Sequence, residues 1–156
     1  TFVARGFATL RFNFRGVGAS AGTFDAGPGE KDDFRAAITF AAGRFPGLPI
    51  WAAGMSFGSW IAASVGATDA RISLVLLVAP AVDRYDFSEL ASAGKPAFIV
   101  HGEDDELIAA KDVRKFYGTL AEPKELVMIE HANHLFEGAT TLVGDAVEGL
   151  VADWKD

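Results

Sequence analysis

The sequence of 156 residues contains no cysteine. Disulfides, thiolate metal sites and cysteine nucleophiles are therefore excluded, and the composition fits a cytoplasmic protein. No apolar run reaches the roughly 18 residues of a membrane span; the longest, Ile72 to Val82, is interrupted by Ser73 and Pro80. Thr1 to Leu10 lacks the basic start and long apolar stretch of a signal peptide. No membrane partner is expected. Positive charge is also scarce. Lys and Arg number 14 against 21 Asp and Glu, a net charge of −7, with no basic cluster. Such a surface repels polyanions, so nucleic acid is not an expected partner. Internal repeats and low-complexity tracts are missing, as is an initiator methionine. The abrupt apolar start leads us to expect a chain trimmed at its N-terminus.

What is present is ordinary globular material, 50% hydrophobic and 22% charged. The length predicts one domain over 1–156, large enough to bury roughly 70% of the surface its unfolded chain exposes. Strand-like and helix-like segments alternate. Phe7 to Phe14 has strand length and aromatic content. A glycine-rich loop, Arg15 to Gly29, follows. Glu30 to Phe45 reads as a helix with acidic residues in its first turn. Further strands are predicted at Ile50–Ala53, Ile72–Ala79, Ala97–Val100 and Glu125–Ile129. Helices are predicted over Ser59–Val65, Lys111–Leu120 and most of Leu135–Trp154. This alternation implies a three-layer α/β/α sandwich around a mostly parallel sheet.

In such sheets chemistry gathers at the carboxyl ends of the strands. Ser56 follows the second predicted strand, Asp104 and Asp105 the fourth, and His131 and His134 the fifth. A serine hydroxyl is a weak nucleophile at neutral pH. It needs an imidazole to take its proton and a carboxylate to orient that imidazole. Gly54-Met55-Ser56-Phe57-Gly58 places the serine on a sharp strand-to-helix turn, at a helix N-terminus that favours developing negative charge. The glycines are expected to make room for the adjoining strand and helix. From the residues alone, either aspartate can be the acid and either histidine the base. A metal reading of His131-x-x-His134 with nearby carboxylates matches no familiar zinc spacing. The Arg15-Gly16-Val17-Gly18 loop lacks the Gly-Lys-Ser/Thr of a phosphate-binding loop. It reads as a structural turn that Arg15 can hold. No metal or cofactor is expected. His101 is expected to be a hydrogen-bonded structural residue at its strand end.

The chain resembles the cytoplasmic α/β-hydrolase superfamily, and in particular small, lidless hydrolases related to dienelactone hydrolase. The resemblance is carried by Leu10 to Ser20, Gly29-Glu30 with Asp32-Asp33, Gly54 to Gly58, His101 to Ile108 and Ala132 to Phe136. It implies an α/β-hydrolase fold incomplete at its N-terminus, with the family's first strands missing. It implies Asp105, three residues after Gly102, as the acid, and His134, just before Leu135 and Phe136, as the base. It implies Phe57 as one backbone donor to the oxyanion, the second donor lying in a loop this chain lacks. Poor folding or weak activity of the chain alone is the corresponding expectation. Only Ala81 to Pro96 separates the third and fourth strands, with space for one short helix near Phe87–Ala91, so the site is expected to be open. The implied activity is hydrolysis of a small-molecule ester, thioester or amide through an acyl-enzyme on Ser56. Acyl transfer by the same residues and a non-catalytic binding domain are the alternatives. Oligomeric state is not legible.

Overall fold

A computed structural model describes residues 2–154; residues 1, 155 and 156 of the expected domain lie outside the described residues. A short 3-10 turn, Val3–Arg5, precedes α1 (Pro28–Arg44), β1 (Ile50–Met55), α2 (Phe57–Thr68) and β2 (Ile72–Val78). Then come α3 (Ser88–Ala93), β3 (Ala97–Gly102), α4 (Ala110–Tyr117), β4 (Lys124–Ile129) and α5 (Thr140–Asp153). The four strands pair in the order β1-β2-β3-β4, all parallel. Parallel neighbours need crossover connections, and helices supply them here.

Side-chain alternation along the strands builds two cores. Val75 and Leu77 of β2 and Ala97 and Ile99 of β3 face one way. They meet Phe34 and Ile38 of α1, Ile61 and Val65 of α2, Leu90 of α3 and Val113 of α4. Leu74 and Leu76 of β2 and Phe98 and Val100 of β3 face the other way, toward Val147 and Leu150 of α5. The result is the expected α/β/α sandwich. Each fully buried Leu or Ile contributes about 1.5–3 kcal/mol through removal from water. Helix α2 packs deepest, because small residues let its backbone approach the sheet. A Cβ on Gly66 would lie only 2.6 Å from a methyl of Val75.

The loop ahead of α1 is tied by charge. Arg15 clasps Asp33, with Nη2 at 2.8 Å and Nε at 3.1 Å from its carboxylate. The buried Glu30 carboxylate accepts the N–H groups of Asp25 (2.8 Å) and Gly27 (2.7 Å), which caps α1. Arg15 thus holds a structural turn.

One predicted strand does not form. Phe7–Phe14 joins no ladder, and β1 pairs only with β2. Aromatic content favours a strand only where a neighbour offers backbone partners. Here the rings dock instead. Phe7 lies 4.9 Å from Trp51, Phe12 5.7 Å from Phe34 and Phe14 6.1 Å from Phe57. The last helix fills most of its predicted span and starts at Thr140. Phe136 and Gly138 adopt left-handed backbone angles (φ 54° and 74°) that no helix accommodates.

Candidate active site

Three loops at the carboxyl ends of β1, β3 and β4 converge. Ser56 stands between β1 and α2 with φ 52° and ψ −119°, a strained conformation for a residue with a Cβ. Its N–H donates to the Val78 carbonyl at 3.0 Å. Its own carbonyl accepts both the N–H (3.0 Å) and the hydroxyl (2.5 Å) of buried Ser59. The turn is therefore held from both sides. Gly54 is required there, because a Cβ would strike the Gly58 carbonyl. Gly58 carries no such requirement; the space beside it is open, which corrects the expectation that both glycines make room.

Asp105 is buried. Its Oδ1 accepts the N–H groups of Leu107 and Ile108, each at 2.8 Å. Its Oδ2 lies 2.8 Å from Nδ1 of His134, itself 5% exposed. On the other side of the imidazole, Nε2 lies 3.0 Å from Oγ of Ser56. A carboxylate can only accept, so Nδ1 carries the hydrogen. Nε2 then presents its lone pair to the serine hydroxyl. Burial pushes the Asp105 carboxyl upward. The Ile108 N–H, the His134 hydrogen bond and the Leu107 N–H outweigh it, and the group stays below the ordinary carboxylate range.

Of the residues that type alone left open, the structure brings one aspartate and one histidine to Ser56. Asp104 is exposed and faces the exposed His131 at 3.5 Å, while Asp105 faces His134. His131 and His134 thus serve different carboxylates, and no group of three or more metal-ligating side chains occurs among the described residues. Phe57 opens α2, so its N–H has no acceptor within that helix.

Further side chains support the site, and His101 is the hydrogen-bonded structural residue expected at the end of its strand. His101 is fully buried, and its Nε2 donates to the Ile108 carbonyl at 3.0 Å. Among the described residues Nδ1 has no hydrogen-bond partner and lies 3.8 Å from Oδ2 of Asp105. Burial pushes the His101 pKa down, so the ring is held neutral. Glu106 accepts the backbone N–H of His134 at 3.1 Å. Its place directly after the acid was the only available signal. Beside Ser56 lies a cavity of about 90 Å³ whose walls include Phe57, Tyr85, Ile108 and Arg84. Between β2 and β3 the chain forms only the short α3.

The family model described as Hydrolase_4, serine aminopeptidase S33, matches residues 1–93. The chain belongs to that family. The match takes in Ser56 and ends before Asp105 and His134, whose placement comes from the geometry above. This S33-family chain is 37% identical to an α/β serine hydrolase homologue from Coxiella burnetii, over 90% of this chain and 67% of that one, with a TM-score of 0.82. It is 31% identical to XC6422 of Xanthomonas campestris, described as an α/β serine hydrolase without a lid. That likeness covers 94% of this chain and 67% of the other, with a TM-score of 0.81. It is also 34% identical over 154 residues to the uncharacterized protein RP471 of Rickettsia prowazekii (strain Madrid E). The chain spans 65% of the length of that relative. Among the described residues, no helix is long and apolar enough to cross a membrane.

Proposed function

We propose that this chain is the catalytic part of a cytoplasmic serine hydrolase that cleaves a small-molecule carboxylic ester, thioester or amide. The observation that carries the reading is the continuous chain from Oγ of Ser56 through His134 to Asp105, at 3.0 and 2.8 Å. Ser56 Oγ attacks the substrate carbonyl carbon as His134 Nε2 takes its proton. The carbonyl oxygen becomes an oxyanion, which the Phe57 N–H and the N-terminal end of α2 stabilise. The intermediate collapses as His134 gives its proton to the leaving group, and the acyl group remains on Ser56. Water then attacks that ester with His134 again as base. The acid leaves, and Ser56 recovers its proton. Asp105 stays ionised throughout, fixes the tautomer and stabilises the imidazolium. Neither metal nor cofactor enters any step.

The test is kcat/KM on p-nitrophenyl acetate for the parent chain and for Ser56→Ala, His134→Ala and Asp105→Asn. Each variant is expected to lose about 10³-fold or more, with losses that do not add when combined. Adding an alcohol or amine and analysing the products separates acyl transfer from hydrolysis. Ser56→Ala turnover equal to that of the parent would contradict the reading.

A further inference from the structure

The cavity beside Ser56 holds one permanently charged side chain. Among the described residues no carboxylate lines it, although the chain as a whole carries a net charge of −7. The charged group is Arg84, in the loop between β2 and α3. The backbone beneath it is fixed: the N–H groups of Arg84 and Tyr85 donate to the Ala81 carbonyl at 3.2 and 3.1 Å. The Tyr85 ring stacks on Trp60 with centroids 4.5 Å apart, and Trp60 Nε1 donates to the Asp86 carbonyl at 3.0 Å. The guanidinium itself is little used. Among the described residues its ion pairing is a 3.9 Å approach of Nε to Asp83, an exposed neighbour. The planar fork of terminal N–H donors is left for something else.

We propose that Arg84 receives an anionic group of the substrate, and that the site takes a short ester bearing a carboxylate a few bonds from the scissile carbonyl. The proposal rests on the serine-hydrolase reading and names its substrate class. An arginine fork matches a carboxylate with two parallel hydrogen bonds. A cavity of about 90 Å³ admits an acyl group of only a few carbons, so a carboxylate at its far end reaches the rim where Arg84 stands. Arg84 stands at the rim with its side chain 55% exposed, so the pairing is screened by solvent and acts chiefly by orienting the anion. An anion held there also fixes the orientation of the scissile carbonyl relative to Ser56.

The experiment is a pH-stat comparison of monoethyl glutarate with ethyl valerate, for the parent chain and for Arg84→Gln and Arg84→Glu. Circular dichroism melting checks that each variant is folded. The parent is expected to favour the carboxylate ester in kcat/KM by about tenfold. Arg84→Gln is expected to bring that ratio close to one, and Arg84→Glu to invert it. Raising the salt to 0.5 M is expected to shrink the ratio in the parent by screening. A parent ratio of one, or a ratio unchanged in Arg84→Gln, overturns the substrate class and leaves the hydrolase reading standing. No hydrolysis of either ester, with Ser56 also inert to a fluorophosphonate, overturns both.

Discussion

Gly102 and Ala132 lie in backbone contact, so close that a Cβ on Gly102 would overlap the Ala132 carbonyl. That approach joins the loop carrying the acid to the loop carrying the imidazole. The Ala132 carbonyl also accepts the N–H of Asp104 at 3.1 Å, and the Ile129 carbonyl accepts that of Glu103 at 2.9 Å. The 2.8 Å bond between Asp105 and His134 follows from this seam. Gly102→Ala is expected to push the loops apart. Overpacking of this kind costs about 1–3 kcal/mol, and ester turnover should fall by more than stability does. Thermal melting and kcat/KM measured together check this. Parent-like turnover in Gly102→Ala would falsify the role assigned to the seam.

The two glycines of the Gly-x-Ser-x-Gly turn are expected to behave differently. Gly54→Ala meets the Gly58 backbone and should cost about 1–3 kcal/mol. Gly58→Ala meets open space within the first turn of α2. It should be neutral, or stabilising by up to about 1 kcal/mol, because alanine favours helix. Urea unfolding of the two variants is the check. Equal destabilisation would contradict the asymmetry.

Stability is expected to fall on acidification in two stages. His101 is buried and its pKa is pushed down by desolvation. Below about pH 6.5 an unfolded histidine takes a proton that the folded ring refuses. The unfolded state then binds more protons, so stability declines as pH drops from there toward the lowered folded value. The second stage belongs to Asp105 and Asp33, both held below the ordinary carboxylate range. Asp33 owes this first to its hydrogen bonds with Arg15. Their contribution is complete above about pH 4 and is lost as pH falls through their folded values. His101→Gln keeps an N–H donor for the Ile108 carbonyl and should flatten the first stage alone. Unfolding curves from pH 7 to 5 test this; an unchanged slope in His101→Gln would count against it.

The Phe7–Phe14 segment is held by rings rather than by a ladder, with Arg11 exposed within it. Segments without backbone pairing open most readily. Limited trypsin digestion is expected to cut first at Arg11, well before Arg15, whose guanidinium is bound to Asp33. A first cut inside the sheet layers would show the segment to be better anchored than its contacts indicate.

Strand ends pointed to Ser56, to the pair Asp104 and Asp105, and to the pair His131 and His134, because the end of a parallel strand is a fixed place in space; the choice of Asp105 and His134 within those pairs came from the family resemblance. Phe7–Phe14 misled because local pattern reports compatibility with a sheet and not the presence of a partner strand. Ser59 and Arg84 carry no local signal, and His101 was legible as a structural histidine but without its partner. His101 matters through the Ile108 carbonyl seven residues on, Ser59 through one carbonyl, and Arg84 through a cavity formed by separate loops. Gly58 was over-read, because a motif does not reveal which of its glycines faces backbone.

The most direct test of the account is intact-mass detection of a fluorophosphonate adduct, with Ser56→Ala as control. The geometry predicts a single adduct on the parent chain and none on the variant, because only a serine whose proton is drawn toward His134 reacts readily. A folded parent chain that takes up no label, or a label that persists in Ser56→Ala, would contradict the assignment of Ser56 as an activated nucleophile.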